Sequence, residues 1–359
     1  MIKKTVIFLS VLLLLTAPIK AESLYSEMYG ALPETEDFEG NEILEKYGLD
    51  LKDENWIKNL NLTNIFSIFK ELVVNGYKAP LSAFLSVLSA VIIAAAFAPF
   101  LKENEHFLSF LVIAAAAFVL LPLFNSLTVA GQALKTVANF MLSFIPIFIG
   151  VVISSGLVGV GTTSSPLLLF VATTVSKIST DTFLPLMGGY LSLSITGSIS
   201  PAFSLNSLAS SIKGAANFIM GLCTTIFLGV LSISGNVSAA GDSLAMKTTR
   251  FLVSGVPVVG GAIAESIGAT TAATELLKTG VGAFGMVAVA IILLPVLVNL
   301  LLWKASLMLS SFAAEILDIK SLSDFLKSVT AVISVTIGII IFVGILFIIG
   351  LAIIVGLRK

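Results

Sequence analysis

The chain has 359 residues, of which 57% are hydrophobic and only 11% charged, and its formal net charge is -1. A soluble globular domain runs near half apolar and about a quarter charged, so a water-soluble fold of this length could not hide so much apolar surface. The charge balance offers no basic patch or interleaved aromatic ladder, which excludes nucleic acid as a partner. Cys223 is the only cysteine and His106 the only histidine. Disulfide frameworks, cysteine zinc sites and histidine-dependent triads are therefore poorly supported, and neither a cofactor nor an enzymatic activity is expected.

The chain opens with Lys3 and Lys4, then ten mainly apolar residues from Val6 to Leu15, then Thr16, Ala17 and Pro18 before polar sequence begins at Lys20. This is the pattern of a secretory signal over residues 1–21, with Ala21 and Ala17 both open as cleavage points. Ten residues are too few to span ~30 Å of hydrocarbon as a helix. From Glu22 to Lys70 there are 11 acidic residues against 4 lysines, about half of the protein's acids. Residues 22–78 thus read as an acidic exported segment, with a solvated linker near 31–40. Trp56, Leu60, Phe66, Phe69, Leu72 and Val73 recur at helical spacing and predict an amphipathic helix leading to the membrane surface or to a partner.

Seven later stretches are long and apolar enough to span a bilayer: 80–101, 107–124, 164–181, 182–199, 216–234, 279–302 and 329–357. Two more, 140–158 and 251–268, are apolar but carry Pro146, Gly150 and Gly156 in one and Gly255, Pro257, Gly260, Gly261 and Gly268 in the other. They read as broken or re-entrant helices. The two also match each other. Gly131, Leu134, Phe140, Met141, Pro146 and Gly150 align with Gly241, Leu244, Phe251, Leu252, Pro257 and Gly261, and each copy is followed by a threonine pair. The pattern predicts a duplicated unit, with repeats at 79–181 and 182–303.

The expected fold is thus an all-α polytopic membrane protein, with about seven transmembrane helices and two broken or re-entrant ones in a duplicated, permease-like bundle. Residues 304–328, with Leu307, Phe312, Leu317, Leu322 and Phe325 among charges, predict an interfacial amphipathic helix before the final span and cytoplasmic end at 329–359. If both broken segments are re-entrant the halves are inverted; if both cross, they are parallel. From residue 102 onward, the inverted arrangement places 7 Lys and Arg inside and 5 outside, and the parallel one reverses this. The inverted arrangement is favoured, with the N-terminus outside the cytoplasm and Arg358 and Lys359 inside. Paired interrupted segments in two halves are the pattern of a transporter core.

Few residues in the apolar region can carry chemistry. Glu265 lies inside the second broken segment, where a carboxylate is costly unless protonated, paired or wet. Lys177 and Asp181 are four apart and share a helix face, as a structural clamp or a transport site. Asp242, Lys247 and Arg250 precede the second broken segment, as a solvated loop or an entrance. Pro146, Gly150, Pro257 and Gly261 mark the unwound backbone of a conduit. Ser154 and Ser155 lack the histidine partner a nucleophile would need at membrane depth.

The run TIFLGVLSISGNVSAAGDSLAMKTTRFLVSGVPVVGG, from Thr225 to Gly261, resembles the stage III sporulation protein AE family of endospore-forming bacteria. The resemblance rests on TIFLGVLS, on the element GD-x-L-x-x-(K/R)-T-x-(R/K)-F and on the Pro-Val-Val-Gly turn, present together and in order. It implies a membrane component of the channel, or feeding tube, that joins mother cell and forespore, seated in the mother-cell-derived outer forespore membrane. The partners it implies are the other proteins of the same sporulation operon, an ATPase and ring-forming subunits among them, and a forespore protein that meets them. It carries no catalytic residues over to this chain. A non-conducting scaffold that recruits those subunits, or an independent secondary transporter, are the competing expectations.

Overall fold

A computed structural model describes residues 62–97, 105–181, 185–192, 218, 221–222, 225–244 and 260–357, and within them the side chains outside 62–65, 94–95, 97, 105–118, 179–180 and 260–277. All the described elements are helices: α1 (Leu62–Gly76), α2 (Lys78–Phe97), α3 (Glu105–Ser154), α4 (Val158–Asp181), α5 (185–192), α6 (225–244), α7 (Gly260–Ile316) and α8 (Lys320–Gly356). Among the described residues there is no strand. In hydrocarbon a helix satisfies its own backbone, which is why runs this apolar settle as helices.

Four helical stretches are long and apolar enough to cross a membrane: Val119–Ser154, Val158–Ile178, Lys278–Ile316 and Lys320–Gly356. A fifth is counted if the pair Phe66–Gly76 and Lys78–Ile93, bent by 46°, forms one span. The bend keeps its backbone paired, since Tyr77 N–H donates to the Val73 carbonyl and Leu81 N–H to the Tyr77 carbonyl. Residues 182–199 and 216–234, expected as spans, are described only in part.

The structure departs from the expected order of elements at three places. The span at 107–124 and the first part of the broken segment, 140–154, belong to one continuous helix, the 50-residue α3, which runs through Pro122 and Pro146. Pro146 and Gly150 do not interrupt it. A proline forfeits one backbone hydrogen bond, which a long packed helix absorbs, and both residues sit on its outward side. The chain breaks instead at Gly156, whose φ of 83° lies in the left-handed region. Gly156 N–H donates to the Ile153 carbonyl and Leu157 N–H to the Val152 carbonyl, a Schellman pair that ends α3 and lets α4 turn back beside it.

The second departure is at the far hairpin. No separate interfacial helix occupies 304–328: α7 continues to Ile316 and α8 begins at Lys320. The turn repeats the same device, with Asp318 N–H donating to Glu315, Ile319 N–H to Ala314 and Asp318 at φ 56°. In both turns the following apolar residue, Leu157 or Ile319, is buried, the contact that usually accompanies this motif. The third departure concerns the repeat. Its offset places the counterpart of Gly156 at Ile267, where α7 is unbroken. A β-branched residue cannot take the left-handed conformation cheaply, so the turn is not duplicated there.

The two turns support a direct prediction. Gly156→Ala will lower the thermal stability of the full-length protein in detergent by about 1–2 kcal/mol, the usual penalty for a side chain in the left-handed region. Asp318→Gly will raise it by up to about 1 kcal/mol, because glycine is the residue that region favours.

The hairpins α3–α4 and α7–α8 pack through an aromatic core. Phe140 and Phe144 stack with centroids 5.2 Å apart, Phe144 and Phe148 at 5.9 Å, and Phe284 of α7 tilts against the first two at 6.5 and 6.1 Å. All four side chains are fully buried. The helices approach this closely because α7 presents Gly282 and Gly285: a Cβ at Gly282 would overlap Val355, and one at Gly285 would overlap the Phe144 ring. Small residues at such crossings are how membrane helices gain dispersion contact without a hydrophobic driving force. Further along α7, Ser306 donates its hydroxyl to the Pro80 carbonyl at 2.6 Å and ties α2 to the bundle.

Candidate functional site: the polar face of the α3–α4 hairpin

The apolar side of α3 turns inward: Leu134, Val137, Ala138, Phe140, Met141, Phe144, Ile145 and Phe148 are all buried. Its outward side is the opposite in character. From 132 to 150 the exposed residues are Gln132, Lys135, Asn139, Ser143, Pro146 and Gly150, with no hydrophobic side chain among them. Their steps of three and four put them on one helix face. Exposed Asn125 and Ser154 and half-buried Thr128 extend the row.

Helix α4 continues this face. A Cβ on Gly161 would meet Ile153 and Ile149, so these positions mark where α4 lies against α3. The helices run in opposite directions, and one residue on from each contact both Gly150 and Thr162 turn to the same side of the hairpin. Exposed Thr162, Pro166, Phe170, Thr173 and Lys177 follow on that side of α4, with Leu169 half-buried among them. The hydroxyls bond back to their own helices, Ser154 to the Gly150 carbonyl at 2.9 Å and Thr173 to Leu169 at 2.8 Å. Their oxygens remain available as acceptors, while Gln132, Asn139 and Lys135 add donors.

A face of amides, hydroxyls and an ammonium within a candidate membrane span is expensive against lipid. A lysine at the centre of a helix costs roughly 2.5–3.5 kcal/mol on insertion scales, and polar groups at that depth normally face water or protein. Pro146 and Gly150, expected as conduit residues, both lie on this face. Lys177 and Asp181 lie on α4, both exposed, and among the described residues no ion pair joins them.

Asp242 has a defined partner. Its Oδ1 accepts from Gly159 N–H at 3.0 Å and its Oδ2 from Val160 N–H at 3.2 Å. The carboxylate of α6 thus satisfies two of the unpaired amides at the start of α4 and meets the positive end of that helix dipole. One turn back, the hydroxyls of Ser238 and Thr163 lie 3.3 Å apart. The expected solvated loop at Asp242 is therefore a cap across 83 residues of sequence. Arg250 and Pro257 lie outside the described residues; Gly261 and Glu265 lie in the helical backbone of α7, and their side chains are outside the described set.

Sequence reasoning passed over Lys278. It is 1% exposed, and its Nζ donates to the carbonyl of Leu357 at 2.5 Å, where α8 ends. A cation on the last carbonyls of a helix is favourable for the dipole. The available signal was position, since Lys278 immediately precedes the charge-free run 279–302.

The sequence model of the family described as Stage III sporulation protein AE matches residues 44–357. A curated relative, Stage III sporulation protein AE of Bacillus subtilis (strain 168), is 28% identical over 158 residues, which cover 44% of this chain and 40% of the relative's own length. No solved structure matches the chain. A family match over nearly the whole length, on a chain whose described elements are all helices and include several candidate spans, identifies it: the chain belongs to the stage III sporulation protein AE family.

Proposed function

We propose that the chain is a permease-like, conduit-lining subunit of the channel that links mother cell and forespore during sporulation. In this reading it sits in the outer forespore membrane with its N-terminus outside the cytoplasm and its C-terminus inside. It works with the ATPase, the ring-forming subunits and the forespore partner expected for the family, and has no catalysis of its own. A bundle of about seven spans, including 182–199 and 216–234, is part of the same proposal. The observation that carries it is the polar face of α3 and α4, because a membrane-spanning surface of this chemistry calls for water beside it.

Gly150→Trp tests the reading. A Cβ at Gly150 meets nothing within 4 Å, so a side chain there starts from open space on the polar face. The expected result is a loss of forespore gene expression and of mature spores, at normal protein level and with partner proteins still co-purifying. Full sporulation in this strain would turn the reading to a scaffold that only recruits the other subunits. The dry aromatic packing of Phe140, Phe144, Phe148 and Phe284 is what favours that second reading.

A further inference from the structure

We infer that the polar face of the α3–α4 hairpin selects small anionic solutes, those carrying carboxylate or phosphate, through a band formed by Lys135 and Lys177; this rests on the conduit reading above. Gly161 packs against Ile149 and Ile153. Sixteen residues along α4 from Gly161 stands Lys177, and sixteen residues back along α3 from the midpoint of Ile149 and Ile153 stands Lys135. Two antiparallel helices of equal rise bring those positions to the same level of the hairpin.

Both lysines are exposed, on the side shared by Gln132, Asn139 and Thr173. Among the described residues the carboxylate nearest this pair is that of Asp181, one turn beyond Lys177 on the same helix face, so the lysines remain in excess of it. Asp242 is engaged on the amides of Gly159 and Val160. Two ammonium groups at one level of a low-dielectric path, with amide donors beside them, attract anions and repel cations, as rings of lysine or arginine do in anion pores.

The test uses the full-length protein in membrane vesicles, with Cys223→Ser to remove its native thiol and Ser143→Cys, about two turns from Lys135, as the sensor. Two membrane-impermeant thiol reagents are compared, sulfonatoethyl methanethiosulfonate, which is anionic, and trimethylammonioethyl methanethiosulfonate, which is cationic. Each rate is divided by the rate of the same reagent with a free small-molecule thiol. The expected result is a normalised preference for the anionic reagent of about tenfold. That preference falls to unity when Lys135→Gln and Lys177→Gln are combined, and is kept by Lys135→Arg. Reaction with both reagents at a ratio of unity in the unsubstituted background overturns anion selection and leaves the water path standing. Reaction with neither shows the face to be dry and overturns the conduit reading itself.

Discussion

Phe144→Ala is expected to destabilise the protein by about 2–3 kcal/mol and to reduce its level in sporulating cells. The ring is fully buried, stacks on Phe140 and Phe148, and fills the space that Gly285 leaves open on α7. In a soluble core, Phe→Ala costs about 3–5 kcal/mol, the sum of a transfer term and a cavity term. Within a bilayer the transfer term shrinks, because lipid tails are as apolar as the protein interior. The cavity term remains, at about 24 cal/mol per Å³ for a side-chain loss of roughly 100 Å³. Reversible unfolding of the purified protein in mixed micelles measures the change, and Phe144→Leu, which leaves a smaller void, should recover more than half of it. A loss below about 0.5 kcal/mol for the alanine variant would mean that this stack does not hold α3 to α7.

Asp242→Ala is expected to cost about 2–3 kcal/mol and to release α6 from the start of α4. Hydrogen bonds to a charged group are worth about 1.5–3 kcal/mol, and the carboxylate makes two, at 3.0 and 3.2 Å, from the first turn of α4. Asp242→Asn keeps one acceptor oxygen and loses the charge, and is expected to lose about half as much as alanine. Disulfide trapping of Thr163→Cys with Ser238→Cys, whose hydroxyl oxygens are 3.3 Å apart, reads the same junction directly. Fast cross-linking in the Asp242 background and slow cross-linking in the alanine variant is the expected pair of results. Equal rates would show that the cap does not hold the two helices together.

The long apolar runs made the helices legible, because a segment that must hide its backbone from hydrocarbon has few alternatives to a helix. The glycine at 156 was legible as a break as well, but Pro146 and Gly150 were not separable from it by inspection. Local propensity counts them as interruptions, whereas the packed inner side of α3 carries the helix through. The apparent match between 140–158 and 251–268 likewise stops short of a shared turn, since Ile267 stands where the first copy has Gly156. The amphipathic pattern in 304–328 is real, yet it is split between the ends of α7 and α8 by a left-handed Asp318.

The sequence by itself pointed to an apolar chain of membrane-type helices, and through the run from Thr225 to Gly261 to the family. Those properties are additive along the chain: hydropathy and motif order need no knowledge of what lies opposite. Tertiary structure alone decided that Asp242 caps a helix 83 residues away, that Lys278 closes the end of α8, and that the row from Gln132 to Gly150 faces outward. The spacing of that row is visible in the residue order. Which side of α3 meets the bundle is set by Phe144 fitting against Gly285 and by Gly161 fitting against Ile149, contacts between helices whose pairing is decided by shape in three dimensions.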